Sequence, residues 1–358
     1  MTSTDVTFYR NKRIFLTGHT GFMGSWLTKL LTMLDADICG YSLDPPTQPN
    51  MYNAIALRES IHHVRGDIRD KELLERTLSE FKPEIVFHLA AQPIVLESYE
   101  KPVETFDTNV TGTVNLLNEI RKINSVKVII VVTSDKSYRN NEWVYPYREN
   151  DVLGGNDPYS ASKSCQDIVI DSFRNSYFND LGIAISSIRA GNVIGGGDWG
   201  KYRLIPDIVR GIVNKEVIKI RNPDFVRPWQ HVLEPISGML ILANKMYNDM
   251  KFSGPWNFGP DNINDFSVRE LTERFLEYYG KGSYIIEDKK IFRESMYLQL
   301  DNSKAKKLLN WYPKLGFEEA VRWSAEWYRR YYDDPKEAKK VTECQIMKYL
   351  EDDINERS

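Results

Sequence analysis

The sequence predicts an α/β protein built on a doubly wound parallel sheet, with a smaller C-terminal α/β lobe. Three observations predict it. Short apolar runs alternate with helix-spaced segments from residue 13 to residue 188. The first run leads directly into a glycine-rich turn, Gly18 to Gly24. Residues 127–132 read as a strand whose β-branched run is continuous from Val128 to Val132, the pattern of a strand covered on both faces.

The elements follow in order. Residues 13–17 are the first strand, ending at Gly18, and residues 25–34 have helical spacing. Residues 37–43 are the second strand, stopped by Pro45-Pro46. A strand at 61–65, a helix at 71–81 and a strand at 85–89 repeat the pattern. A long helix at 105–123, the strand at 127–132, a helix at 159–178 and a strand at 184–188 complete it. Beyond residue 189, glycine, proline and tryptophan become frequent and helices less regular. Residues 1–188 are therefore read as one domain, and 189–333 mainly as a second lobe with segments returning to the first. Residues 334–358 are read as a charged helical tail in solvent.

With 47 Lys and Arg against 50 Asp and Glu, the net charge is −3, and the basic residues are scattered. Nucleic acid is not an expected partner. No apolar run reaches the ~18 residues of a membrane span, and the polar start has no signal-peptide core. Cys39, Cys165 and Cys344 are far apart and lack metal-ligand spacing, so no metal and a cytoplasmic location are expected.

Gly18, Gly21 and Gly24 join the first strand to the first helix. Such glycines let the backbone approach a pyrophosphate at a helix N-terminus, the phosphate site of a Rossmann-type dinucleotide fold. The same turn brings Thr20, Phe22 and Met23 to the cofactor. Asp44 follows the second strand, where an acid bonds the adenosine ribose and repels a 2′-phosphate; with no arginine between Gly40 and Gln48, NAD is favoured over NADP. Asp44 is alternatively a turn residue before Pro45. Asp67 and Ile68 lie where the adenine would sit, although Asp67 is alternatively a helix cap. Leu89, Ala90, Ala91 and Gln92 end the fourth strand with small residues that admit the cofactor.

Tyr159 and Lys163 form a Tyr-x-x-x-Lys, neighbours on one helix face. A phenol ionises near pH ~10, and a neighbouring ammonium lowers that value. Thr133-Ser134-Asp135-Lys136 adds a hydroxyl, an acid and an amine. The hydroxyl with Tyr159 suffices to oxidise an alcohol. The Asp135-Lys136 pair suggests a second proton transfer, such as loss of water.

With these residues the chain resembles the extended short-chain dehydrogenase/reductase superfamily, and within it the CDP-glucose 4,6-dehydratase branch. The resemblance rests on Gly18-His-Thr-Gly-Phe-Met-Gly-Ser-Trp26, Thr133-Ser-Asp-Lys136, Leu153-Gly-Gly-Asn-Asp-Pro-Tyr159, and Arg189-Ala-Gly-Asn-Val-Ile-Gly-Gly-Gly-Asp-Trp199 with Arg203-Leu-Ile-Pro-Asp207. It implies that NAD is regenerated within each cycle as a nucleotide sugar, CDP-glucose, becomes its 4-dehydro-6-deoxy form for surface-polysaccharide deoxysugars. It implies that Tyr159 takes the C4 hydroxyl proton, with Lys163 lowering its pKa and holding the nicotinamide ribose. Ser134 would bond the C4 oxygen, and Thr133 would border the cofactor. Asp135 would protonate the departing C6 hydroxyl, with a pKa raised by burial, and Lys136 would act at C5. Asn192 would bond a phosphate or a sugar hydroxyl, and Arg203 and Arg227 would neutralise the diphosphate. Trp199 is read as packing near the base or in the core, and His231 as structural. Arg293 departs from the family's histidine. A homodimer or homotetramer pairing through the helices at 105–123 and 159–178 is implied as well.

Overall fold

The computed structural model describes residues 3–261, 266–287 and 298–355; Arg293 and its neighbours lie outside the described residues. Six consecutive strands are β1 Arg13–Thr17, β2 Asp37–Ser42, β3 His62–Arg65, β4 Ile85–His88, β5 Val128–Val132 and β6 Ala184–Arg189. A further short strand, Trp256–Asn257, pairs with β6. The seven-stranded parallel sheet has β4 and β1 at its centre, with β5, β6 and Trp256–Asn257 to one side and β2 and β3 to the other. Strand order reverses between β1 and β4, which opens a crevice at their carboxyl ends.

Apolar side chains cover both faces. On one face Ile14, Leu16, Phe87 and Ile130 pack against helix Phe22–Met33 and against helix Leu233–Asn248. On the other, Phe15, Val86, Ile129 and Ile185 pack against helices Lys71–Phe81, Gly112–Ile120 and Pro158–Phe173. The helix expected at 105–123 runs as Pro102–Phe106, a π turn at Asp107–Thr111, and Gly112–Ile120. No helix of the described residues is long and apolar enough to cross a membrane.

The solvated tail requires correction. Helix Glu337–Asn355 buries Ala338, Val341, Thr342, Gln345, Ile346 and Tyr349, a stripe at helical spacing. Trp327 Nε1 donates to Thr342 at 2.8 Å, and Tyr349 donates to the buried Glu234 at 2.8 Å. The charged residues between these positions only form its outer face.

The triple glycine of the Arg189 motif is a packing device. A Cβ on Gly196 would lie 1.9 Å from the Trp327 ring, and one on Gly197 2.2 Å from the Met51 sulfur. Trp199 is a core residue, buried beside Trp327, with its indole donating to Tyr332 at 3.0 Å. His231 is buried between Trp26 and Trp323.

Candidate active site

The crevice between β1 and β4 is shaped by absent side chains. Gly18 has φ +78°, and a Cβ there would lie 2.7 Å from the Ala90 nitrogen. A Cβ on Gly24 would lie 2.1 Å from the Gly18 carbonyl oxygen. Helix Phe22–Met33 thus starts hard against the loop, and its N-cap, Gly21, supplies no side-chain cap. Its first N–H groups remain directed at the crevice, which fits the pyrophosphate of NAD. Met23 and Phe22 are half-buried on the first turn, while the Thr20 hydroxyl is tied to Ser42 at 2.8 Å and to the Leu43 carbonyl at 2.9 Å.

Beyond β2, Asp44 pairs with Arg65 at 2.6 Å on an exposed edge. Arg65 supplies a guanidinium from β3 that no inspection of the second strand alone reveals. Asp67 is chelated by Arg69, whose side-chain bonds hold its carboxyl below the ordinary range. The cap of helix Lys71–Phe81 is Asp70, not Asp67. Ile68 is buried against Gly112, where an added Cβ would lie 2.5 Å away. Leu89 and Ala90 donate their backbone N–H groups to Thr17, each at 3.2 Å. Ala91 is half-buried beside them. Gln92 spends its side-chain amide on Ile94 and Thr105.

At the end of β5, Thr133 donates both N–H and hydroxyl to the Ile188 carbonyl, fastening β5 to β6. Ser134 caps the turn Asp135–Ser137, accepting from Lys136 N at 3.1 Å. Its hydroxyl donates to Asp135 Oδ1 at 3.0 Å. Asp135 is 2% exposed, and its Oδ2 has no hydrogen-bond partner among the described residues. Gly191 makes room for that oxygen, since a Cβ on it would lie 2.1 Å away. Lys136 is half-buried, with no ion-pair partner among the described residues.

Tyr159 enters from the first turn of helix Pro158–Phe173, capped by Asp157 and started by Pro158. Its backbone N–H donates to Ser98 at 3.1 Å. Its phenol is within reach of the Ser134 hydroxyl. Burial pushes the phenol up to about 12, while Ser134 and Arg203 favour its ionised form and Asp135 opposes it. The Lys163 ammonium donates to the Val132 carbonyl at 3.2 Å and to Gln166 Oε1 at 2.9 Å. Its own pKa falls to about 8 because burial disfavours the charge, Asp167 acting against this.

Asn192 adopts φ +36°, and its buried Oδ1 has no partner among the described residues. Arg203 pairs with Asp198 at 2.9 Å and stands close enough to Tyr159 to favour phenolate. Arg227 lies over the Phe225 ring and donates to the Val226 carbonyl at 2.9 Å. The structure therefore brings together Ser134, Asp135, Tyr159 and Arg203, with the Lys163 ammonium held at the end of β5 by Val132 and Gln166.

Sequence reasoning missed the residues that support these groups. Gln230 donates to the Gly191 and Phe258 carbonyls, fixing the loop beside Asp135. Asn109, in the π turn, donates to Gln92 O and Ser162 and accepts from Gln92 N. Arg189 links Asp167 at 3.0 Å to the Tyr138 hydroxyl at 2.8 Å, bracing the helix of Tyr159 against the segment after Lys136. Only Gly191 and Arg189 lie in a conspicuous motif.

Comparison with known proteins gives consistent similarities. The family described as GDP-mannose 4,6 dehydratase matches residues 15–323. A CDP-glucose 4,6-dehydratase of Salmonella typhimurium is 47% identical over 336 residues, 91% of this chain and 94% of that protein. Among solved structures, a UDP-glucose 4-epimerase of Thermotoga maritima with UDP-glucose has a TM-score of 0.76 at 25% identity, covering 89% of this chain and 99% of its own. A dTDP-glucose 4,6-dehydratase of Bacillus anthracis in complex with NAD has a TM-score of 0.74 at 23% identity, covering 90% and 98%.

Proposed function

We propose, since the chain belongs to the GDP-mannose 4,6 dehydratase family, that it is an NAD-dependent CDP-glucose 4,6-dehydratase. The observation that carries this reading is the buried Asp135 carboxyl, with one oxygen on Ser134 and the other without a partner beside Gly191. A chain that only oxidised and re-reduced C4 needs no acid there. Elimination of water from C6 does.

Removing water across C5 and C6 is hard while the C5 hydrogen is not acidic. Oxidation at C4 places that hydrogen beside a carbonyl. Gly18, Gly21 and the first turn of helix Phe22–Met33 would hold the pyrophosphate of NAD, and Lys163 its nicotinamide ribose; when bound, the cofactor would supply the acceptor for the C4 hydride and, once reduced, the donor for C6. Tyr159 removes the C4 hydroxyl proton, and Ser134 keeps that oxygen in register. Arg203 favours the phenolate form in which Tyr159 can accept that proton. Asp135 gives its proton to the departing C6 hydroxyl. Lys136, beside it on the turn, acts at C5 as base or by stabilising the enolate. Asn192 and Arg227 hold the sugar diphosphate.

Exposed Tyr99, Val103 and Phe106, with Ile168 on helix Pro158–Phe173, support pairing of subunits into a homodimer or homotetramer. Three free cysteines support a cytoplasmic location.

Purified protein is to be assayed with CDP-glucose, dTDP-glucose, UDP-glucose and GDP-mannose, following the keto sugar by its absorbance in alkali. CDP-glucose is expected to give CDP-4-dehydro-6-deoxyglucose without net consumption of NAD. A C4 epimer as sole product, or reduced cofactor accumulating in step with turnover, overturns the proposal.

A further inference from the structure

We propose that Gln166 is a positioning residue for Lys163, holding its ammonium at the floor of the site through a buried relay that ends at the cofactor crevice. The inference rests on the reading of Lys163 given above.

The relay has one consistent set of donors and acceptors. Thr113 donates its hydroxyl hydrogen to the Asn109 carbonyl at 2.7 Å, one helical turn back. Toward its other neighbours that oxygen only accepts. Gln166 lies 2.8 Å away, so its Nε2 donates to Thr113 and its Oε1 must face Lys163. His88 Nε2, 3.0 Å from Thr113, must also donate. Its Nδ1 then accepts from the Thr17 hydroxyl at 2.7 Å. Thr17 in turn accepts the N–H groups of Leu89 and Ala90. Ala90 N is the atom that would stand 2.7 Å from a Cβ on Gly18. Every bond in this chain has a fixed direction.

An ammonium has three N–H groups. Val132 O and Gln166 Oε1 take two from Lys163, leaving one for the site. Lys163, Gln166, His88, Thr113 and Thr17 are all buried. Asp167 is the carboxylate acting on Lys163, and it is shared with Arg189. Burial and the Lys163 charge keep His88 neutral, with its pKa lowered to about 3. A neutral imidazole is what the relay requires, since a protonated one offers Thr17 no acceptor.

The test uses Gln166→Met, Gln166→Glu and Thr113→Val in the full chain with NAD and CDP-glucose, recording kcat, KM and the pH profile. Gln166→Met removes the acceptor of the ammonium. Its kcat is expected to fall ~10–100-fold, the range typical of partners that orient a functional side chain, with KM little changed and the alkaline limb moved to lower pH. Gln166→Glu restores an acceptor and adds negative charge. It should move the alkaline limb to higher pH, opposite to Gln166→Met, and recover kcat only in part, because a carboxylate cannot donate to Thr113. Thr113→Val frees the Gln166 amide to turn and should follow Gln166→Met, which keeps the test open if Gln166→Met does not fold. Equal losses in all three variants with an unmoved limb would mark Gln166 as packing only and overturn the inference. Wild-type profiles in the Gln166 variants, with Lys163→Met inactive, overturn it alone. A Lys163→Met that still turns over instead removes the reading of Lys163 on which it stands.

Discussion

Gly191 stands where its missing side chain leaves room for Asp135: a Cβ there would lie 2.1 Å from Oδ2 of Asp135 and 2.8 Å from its carboxyl carbon. The contact joins two motifs distant in sequence, the turn after β5 and the loop after β6. Gln230 holds this loop through the Gly191 carbonyl at 3.1 Å. Asp135 is thus aimed by its neighbour's lack of a Cβ as much as by its own hydrogen bond to Ser134.

Gly191→Ala is therefore expected to displace the Asp135 carboxyl. Gly191 is not among the residues of positive φ, so backbone strain does not enter. Misplacing a catalytic group by about 1 Å can cost ~10²-fold in rate, and a loss of that order is expected in product formation. Thermal melting monitored beside the assay separates this from unfolding. Unchanged turnover would mean that Asp135 tolerates another position.

Tyr159→Phe should lower turnover ~10²–10⁴-fold, the usual cost of removing a positioned acid–base group. The ring remains packed, and the Ser98 hydroxyl still accepts the backbone N–H of residue 159. NAD binding, measured by titration calorimetry, should persist. Near-normal turnover would reduce Tyr159 to a packing residue.

A pH effect is expected far from the site. Glu234 is buried, accepting from Leu315 N at 2.7 Å, Lys314 N at 3.0 Å and the Tyr349 hydroxyl at 2.8 Å. Burial raises its pKa from 4.5 to about 7, the three donors acting against this. A carboxyl with a raised folded pKa contributes stability that is fully present below its unfolded value and lost as pH rises through its folded one. The wild type should therefore lose stability between pH 4.5 and about 7, by on the order of 3 kcal/mol from this group. Glu234→Gln keeps an oxygen for both backbone donors and cannot ionise. Melting temperatures of the two proteins should diverge with rising pH over that window, in favour of the variant, and run parallel above it. A constant difference would refute the assignment.

The sheet was legible because its strands are covered on both faces, so apolar runs such as residues 128–132 carry the signal without alternation. The last helix was read as a helix, but its burial was not legible. Its buried stripe includes Thr342 and Gln345 beside Val341 and Ile346, so the apolar period is broken even though the face is inside. The groups with distinctive chemistry, Ser134, Asp135 and Tyr159, could be picked out from residue type and motif. Their supports could not. Asn109, Gln166 and Gln230 are ordinary amides until the fold supplies Ser162, Lys163 and Gly191 as partners. For Lys163, helical spacing makes it a neighbour of Tyr159 but does not say which groups hold its ammonium. Here Val132 and Gln166 do.

The two halves of the proposed reaction can be separated at Asp135. Asp135→Asn keeps a carbonyl oxygen for the Ser134 hydroxyl, now 3.0 Å from Oδ1, and an amide fills the place of Oδ2 beside Gly191. The side chain keeps its size but no longer has a proton of the required acidity to give. Ser134, Tyr159 and Arg203 are untouched, so removal of the C4 hydroxyl proton should proceed. Loss of the C6 hydroxyl should slow ~10²–10⁴-fold for want of its acid. In a single turnover with stoichiometric CDP-glucose, absorbance at the reduced-nicotinamide band should rise while 4-dehydro-6-deoxy product lags far behind. In the wild type that absorbance should not build up. Lys136→Met should slow exchange of solvent deuterium into C5, because Lys136 is the remaining amine on the same turn. A simple dehydrogenase or epimerase predicts neither effect, since its residue 135 meets no leaving group. If Asp135→Asn turns over normally, or loses oxidation and elimination equally, the acid that expels the C6 hydroxyl is not Asp135.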